Sequence, residues 1–340
     1  MHAILGTQRS VESSFVIKLG EKASVPVISF SATSPSPSPS NNPNFIKIGQ
    51  DDSSQVKAIA SLLQKFRWEE VILIYEDMGN GNEIFPSLDN SLQKINVQVT
   101  YKSVISPSAN ESQISKEIKM LKSFMATRVF LVHMTVDLGS RFFVIAEREG
   151  MISKGYAWLI TGGLSQSLEA VDPSVVESME GVLGIQPHVP KSKNLDNLLE
   201  RLNANNETSE LKIVGLWAYD TIWALAMAAE RVGVGRMDSS FSKDHKTGTC
   251  STNLAGLGTS KIGPRLLEEI SNISFRGLSG HFQLVNGQLL PRYLEVFNVI
   301  GKGKRIVGYW TPERGILTKN LGSSRRSINS TSMNELKSIL

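Results

Sequence analysis

One stretch decides the fold: VPVISFSATSP, residues 25–35. It begins with a short apolar run, residues 25–28, which is typical of a parallel strand buried on both faces. Small hydroxyl residues follow, among them Ser31 and Thr33, and then a loop rich in proline and serine. Because ligands of open α/β sheets bind at the carboxyl ends of the strands, these hydroxyls are candidate ligand-binding groups. A serine-rich turn that only ends the strand is the alternative interpretation.

Strand-like and helix-like segments alternate along the rest of the chain. Apolar runs typical of buried strands recur at residues 71–75, 129–132, 156–160 and 182–185. Apolar residues at helical spacing lie between them, as in residues 50–66 and 113–125. This alternation predicts α/β domains with doubly wound parallel sheets.

Two local patterns give more specific predictions. A helix that begins near Ser10 is expected to bury Phe15, Val16 and Leu19 and to end at Gly20. Farther along, Asn286-Gly287 predicts a hairpin turn between the extended runs at residues 280–285 and 293–299.

Composition bounds the class of protein. With 340 residues, of which 41% are hydrophobic, the chain can bury the cores of two α/β domains. The 36 basic and 32 acidic residues give a net charge of only +4, without the basic stripe that nucleic-acid binding needs. No apolar run is long enough to insert into a membrane, and the first residues lack the pattern of a signal peptide. The single cysteine, Cys250, excludes an internal disulfide.

Catalytic patterns are missing from the sequence. The five histidines lack metal-ligand spacing, residues 301–304 lack the phosphate-binding glycine motif, and there is no nucleophile elbow. We therefore expect no enzyme activity, no cofactor and no metal. Asn-X-Ser/Thr motifs mark Asn110, Asn206 and Asn272 as glycosylation candidates, and a fourth motif lies at Asn329 in the tail.

Several short motifs, in order and at consistent spacing, carry a family resemblance. They are VPVISFSATSP (25–35), TRVFLVHM (127–134), MEGVLG (179–184), LWAYDT (216–221), FRGLSG (275–280) and VGYWTP (307–312). With them the chain resembles the amino-terminal domain of plant glutamate receptor-like channels. This domain is part of the periplasmic-binding-protein type I superfamily, together with bacterial branched-chain amino-acid binding proteins and metabotropic glutamate receptors.

The resemblance implies a bilobed clamshell of two doubly wound parallel sheets joined by three crossover strands. Lobe I would contain residues 1–49 and 215–292, and lobe II residues 50–214 and 293–317, followed by a linker-like tail, 318–340. It also implies that the family's first strands upstream of Ala3 and the pore segments downstream are missing, so that residues 3–5 would form an unpaired edge.

By position, the resemblance makes Ser10, Ser31, Thr33 and, more weakly, Tyr219 the ligand-binding candidates. Ser10 could instead only cap its helix, and Tyr219 could only pack at the hinge. Two departures bear on this site. Gly6-Thr7 stands where Gly-Pro is common, and Gly162-Gly163 stands where many amino-acid binders have an acidic side chain.

The function that follows by resemblance is ligand recognition and subunit assembly in a ligand-gated cation channel, on the extracellular face of the plasma membrane. The expected partners are a small ligand such as an amino acid and other receptor subunits. A free-standing solute-binding protein is the alternative, against which we weigh the lack of a signal peptide and the linker-like tail. A non-functional fragment is a third possibility.

Overall fold

The computed structural model describes residues 2–7, 10–77, 84–124, 126–204, 213–233, 258–289 and 293–317. Cys250, Asn206, Asn329 and the tail from residue 318 lie outside these ranges. The elements up to the middle of the chain are β1 (Ile4–Leu5), α1 (Ser10–Ala23), β2 (Val27–Ser29), β3 (Phe45–Lys47), α2 (Asp52–Phe66), β4 (Glu70–Glu76), α3 (Ile84–Lys94), β5 (Gln98–Ile105), α4 (Glu111–Ser123), β6 (Val129–His133), α5 (Val136–Arg148) and β7 (Ala157–Ile160). The remaining elements are α6 (Gly162–Ser165), α7 (Pro173–Glu177), β8 (Leu183–Pro187), α8 (Lys193–Ala204), α9 (Ile213–Val232), α10 (Gly263–Asn272), β9 (Ser274–Arg276), β10 (His281–Val285), β11 (Gln288–Leu289), β12 (Leu294–Ile300), β13 (Gly303–Thr311) and β14 (Gly315–Leu317).

The chain divides into two compact units and passes between them three times. Unit 1 comprises Met1–Asp51 and Val189–Leu290, and unit 2 comprises Asp52–His188 and Pro291–Leu340. Two of these divisions lie within two residues of the lobe boundaries expected at 49/50 and 292/293. The one expected at 214/215 lies at 188/189 instead. Residues after His188 pack in unit 1, since a Cβ on Gly280 would lie only 3.7 Å from Cδ of Pro190.

Unit 1 is built on a six-stranded sheet with the order β1-β2-β3-β11-β10-β9. β1, β2, β3 and β11 run parallel, and β10 and β9 are antiparallel additions. Alternate residues of β2 and β3 face opposite sides, as the pleat requires. Val27 and Phe45 pack with Ile17 of α1, whereas Ile28 and Ile46 join the core beneath α9 and α10. Both faces of β2 are therefore covered, as the apolar run at residues 25–28 predicts.

Helix α1 buries a different face from the one predicted. Ser13, Ile17 and Gly20 are buried, whereas Phe15, predicted to face inward, has 62% of its surface exposed. The predicted end at Gly20 is also wrong, because the helix continues to Ala23. A Cβ on Gly20 would lie 2.3 Å from Cγ2 of Val27, so this glycine allows close contact between helix and strand and does not end the helix.

The Asn286-Gly287 turn forms as predicted but with a different partner strand. Both residues have positive φ, 52° and 73°, and the turn joins β10 to β11, with Val285 opposite Gln288. The predicted partner, residues 293–299, is wrong. That segment belongs to β12 in unit 2. The strand that pairs with β10 is β11, because a two-residue turn places the pairing strand immediately after Gly287.

Unit 2 is built on an eight-stranded sheet with the order β14-β13-β12-β8-β7-β6-β4-β5. The strands from β8 to β5 are parallel, and Val71 and Leu73 of β4 face one core while Ile72 and Ile74 face another. The α/β class is confirmed. Both sheets are nevertheless mixed, because strands joined by short turns must pair antiparallel.

Two of the sequence motifs meet at a buried carboxylate in unit 1. Asp220 of α9 accepts the backbone N–H groups of Leu278 and Ser279, each at 2.8 Å, and the Ser279 hydroxyl at 2.5 Å. A Cβ on Gly277 would lie 2.4 Å from Oδ2 of Asp220, so a side chain there would collide with the carboxylate. The motifs LWAYDT and FRGLSG thus have a shared structural purpose, which is to attach the β9–β10 connection to α9.

We expect Gly184→Ala to destabilise unit 2. Gly184 lies opposite Phe297 in the β8–β12 pair, and a Cβ would approach Cζ of the buried ring to 2.1 Å. Overpacking of this kind costs about 1–3 kcal/mol. Urea denaturation followed by tryptophan fluorescence should show a lower midpoint.

Gly303→Ala is the matched control for this substitution. Gly303 lies in another strand of the same sheet, but nothing lies within 4 Å of the position that a Cβ would take there. An equal loss of stability in the two variants would contradict the packing explanation.

Candidate functional site

The carboxyl edge of the unit 1 sheet carries a hydroxyl cluster, defined here as Thr7, Ser13, Ser29 and Ser31. β1 and β2 are parallel, so the residues that follow them come together at one edge. The hydroxyls of Ser29 and Ser31 both donate to the main-chain carbonyl oxygen of Thr7, at 3.1 and 3.0 Å. The Thr7 and Ser13 hydroxyls are hydrogen-bonded to each other, which connects the strand ends to α1.

The hydrogen bonds of the cluster hold the chain after β2 in one conformation. The Ser29 hydroxyl oxygen also accepts the Ala32 backbone N–H at 3.2 Å. Each such bond contributes about 0.5–1.5 kcal/mol net. Thr33, two residues beyond Ser31, is half-buried, and within the part of the chain that the structure describes its hydroxyl has no hydrogen-bond partner. It is therefore the hydroxyl of this edge most open to a ligand.

The structure places the four predicted site residues in different situations. Ser31 lies in the cluster, and Thr33 adjoins it. Ser10 is the first residue of α1, but its side chain is not among the described ones. Tyr219 is 48% exposed on α9, beside the buried Asp220. No hydrogen bond between Tyr219 and the cluster is found among the described residues, so its role remains a prediction.

Sequence reasoning missed Thr7, Ser13 and Lys47 at this edge. Thr7 follows β1 as Ser31 follows β2, so the same strand-end argument could have found it. Ser13 is buried because the inward positions of α1 are 13, 17 and 20, a periodicity hidden by the more apolar Phe15. Lys47 ends β3 and is cross-strand partner to Ser29. Its charge within the run Phe-Ile-Lys-Ile was the available signal.

The carboxyl edge of the unit 2 sheet carries a separate polar group around Gln55 of α2. Its buried amide oxygen accepts the Gly162 backbone N–H at 2.6 Å, and its amide nitrogen donates to Asp52 Oδ1 at 3.1 Å. A Cβ on Gly162 would lie 2.5 Å from Nε2 of Gln55, and one on Gly163 would lie 2.9 Å from the Met134 carbonyl oxygen. A side chain at Gly163 would therefore meet a backbone oxygen, and one at Gly162 would have to displace the Gln55 amide.

His133 is buried at the end of β6 in the same unit. Its Nδ1 lies 2.8 Å from Oγ1 of Thr161, and the Phe85 ring meets it edge-on. Burial lowers the pKa of His133 from 6.5 to about 4, so the ring is neutral at pH 7. Nearby, Glu76 accepts the Thr135 backbone N–H at 2.7 Å and caps the start of α5.

Neither a metal centre nor a membrane span is found in the part of the chain that the structure describes. Within it, no three His, Cys, Asp or Glu side chains come together in a group that could bind a metal. Its helices are all too short or too polar to cross a bilayer.

Comparison with known proteins identifies the family to which this chain belongs. The family model described as "Receptor family ligand binding region" matches residues 1–302. The chain belongs to this family. Its α/β architecture in two units agrees with the two-lobed periplasmic-binding-protein type I fold that the motifs predict.

Curated relatives include glutamate receptors of Arabidopsis thaliana. The chain is 43% identical to Glutamate receptor 2.2 over 330 residues, which is 97% of this chain and 35% of the relative. It is 41% identical to Glutamate receptor 2.3 over 330 residues, 97% of this chain and 36% of the relative. It is 43% identical to Glutamate receptor 2.7 over 322 residues, 93% of this chain and 33% of the relative. The resemblance to plant glutamate receptor-like proteins is confirmed, and the chain spans about a third of these relatives' length.

We expect the stability of this ligand-binding-region chain to fall between pH 6.5 and pH 4 because of His133. Unfolded, the ring binds a proton below its ordinary pKa of 6.5. Folded, it stays neutral until about pH 4. The unfolded state therefore binds more protons in this window, and stability decreases as the pH falls, by up to about 3 kcal/mol.

His133→Gln should flatten this pH dependence, since glutamine keeps a polar partner for Thr161 but does not titrate. Urea midpoints measured from pH 4 to 7 give the comparison. His281→Gln, which removes an exposed histidine of unit 1, is the control. An unchanged slope in His133→Gln would show that other groups cause the acid sensitivity.

Proposed function

We propose that this chain is the ligand-recognition domain of a glutamate receptor-like cation channel, displayed on the extracellular face of the plasma membrane. The family match supports ligand binding, and the names of the relatives support the receptor class. A binding role without catalysis agrees with both. Assembly with other receptor subunits through the same domain is part of this proposal.

The hydroxyl-lined edge of unit 1 is the observation that carries the proposed ligand site. The Thr33 hydroxyl, next to the hydroxyl cluster, is a small donor at the carboxyl end of parallel strands, where ligands of such sheets bind. A carboxylate accepts hydrogen bonds only, so hydroxyl donors suit the carboxylate of an amino acid.

Titration calorimetry with a panel of L-amino acids tests this site. At least one member is expected to bind, and Thr33→Val should weaken that binding about 10- to 150-fold, the effect of losing one hydrogen bond to a charged group. Valine keeps the shape of threonine, so stability should change little at this half-buried position.

Ser40→Ala is the matched control, since Ser40 lies on the same loop and is exposed. It should leave the affinity unchanged. Absence of heat with every amino acid, on protein that melts cooperatively, would exclude an amino-acid site on this edge. Equal weakening by the two variants would place the ligand elsewhere.

Exposed sequons support an extracellular location. Asn272 is exposed at the end of α10, and Asn110 is exposed at the start of α4. Asn110 Oδ1 accepts the Gln113 backbone N–H at 2.9 Å, while Gln113 Oε1 accepts the Asn110 backbone N–H at 2.8 Å. This capping box uses the amide oxygen, whereas a glycan is attached through the amide nitrogen. Asn110 can therefore carry a glycan and still cap its helix.

Expression in a secretory host should yield a glycan at Asn110 that two substitutions remove with different consequences. Ser112→Ala destroys the sequon and keeps the cap, so it should lose one glycan without losing the roughly 1 kcal/mol of the cap. Asn110→Gln should lose both. Gel mobility before and after glycosidase treatment, with urea midpoints on deglycosylated protein, gives the result. Identical mobility of the unsubstituted chain and Ser112→Ala would exclude modification at Asn110.

A further inference from the structure

Lys47 is buried in a way that lysines seldom are. Its side chain is 1% exposed at the end of β3, at the carboxyl edge that carries the hydroxyl cluster. Taking an ammonium group out of water costs several kcal/mol unless it is paired and hydrogen-bonded. The groups that satisfy this charge therefore indicate what the residue does.

The ammonium group of Lys47 connects two segments. It donates to the main-chain carbonyl oxygen of Ser34, directly after Thr33. It also donates to Asp51 Oδ2 at 2.8 Å. Asp51, 13% exposed, is the last residue of unit 1 before the first crossing into unit 2. One side chain thus contacts both the Thr33–Ser34 segment and Asp51, where the chain leaves unit 1.

Stability alone is a weak explanation for this arrangement. Replacing a buried ion pair with apolar side chains of similar volume is often neutral or stabilising. A bond from the ammonium to a main-chain carbonyl, on the other hand, sets the position of that backbone. Because Ser34 follows Thr33 immediately, whatever fixes the Ser34 carbonyl also restricts where the Thr33 hydroxyl can lie.

We propose that Lys47 is a positioning residue, which holds the Thr33–Ser34 segment and couples it to the first crossing at Asp51. The coupling to ligand rests on the proposed function, whereas the positioning itself does not. Movement of the Thr33–Ser34 segment is then transmitted through Lys47 to Asp51, where the chain leaves unit 1.

Hydrogen–deuterium exchange of the ligand-free chain tests the positioning. Lys47→Met keeps the length and apolar stem but removes both bonds. Amides 31–34 and 49–52 should then exchange about tenfold faster or more, as expected when a hydrogen bond to a charged group is lost. Asp51→Asn should speed exchange at 49–52 while 31–34 remain protected by the bond to Ser34. Lys47→Arg, which keeps the charge and donors, should restore protection at both segments at least in part.

Asp220→Asn is the control for general destabilisation, since it weakens unit 1 at a different buried charge. The comparison is made in urea concentrations at which it and Lys47→Met have equal global stability. Faster exchange at 31–34 and 49–52 confined to Lys47→Met supports the proposal. Unchanged exchange in Lys47→Met, or the same pattern in Asp220→Asn, overturns it.

The same exchange experiment with a bound amino acid separates this inference from the proposed function. If an amino acid of the panel binds, it should protect both 31–34 and 49–52 in the unsubstituted chain, but only 31–34 in Lys47→Met. Protection of 49–52 in Lys47→Met equal to that in the unsubstituted chain would refute the coupling. If no amino acid binds, the proposed ligand fails, while the ligand-free exchange still decides whether Lys47 positions the loop.

Discussion

Strands buried on both faces are the constraint on which the rest of this structure depends. In β2, β3 and β4, successive side chains face two different cores, so neither face has room for an unpaired polar group. Polar side chains are therefore displaced to the strand ends. In a parallel arrangement the carboxyl ends share one edge, and this is why the hydroxyl cluster, Lys47 and the group around Gln55 lie where they do.

Three buried polar side chains tie together segments that are separated in sequence. Asp220 holds the β9–β10 connection, Gln55 holds the start of α6, and Lys47 holds the loop after β2. Each makes at least one hydrogen bond to a backbone atom of the segment it holds, so its effect is to select one loop conformation. This costs desolvation, which is offset only because the partners are close and well aligned.

Several glycines matter for contact and not for backbone freedom. Gly20, Gly162, Gly184 and Gly277 have ordinary negative φ, yet a Cβ on any of them would collide with a neighbour. At Gly162 that neighbour is Gln55, whose amide oxygen accepts the Gly162 N–H, so the glycine and the glutamine are parts of one arrangement.

The sequence by itself determined the α/β class, the positions of most strands and helices, the receptor family, and the strand-end position of Ser31 and Thr33. These follow from local periodicity and from short motifs, which need no knowledge of distant contacts. Only the tertiary structure decided that α1 turns Ser13 inward, that β10 pairs with β11, and that Thr7 and Lys47 belong to the edge. The reason is that a polar residue's partner, here the Thr7 carbonyl for Ser31 and the Ser34 carbonyl for Lys47, is chosen by three-dimensional proximity, which no local pattern contains.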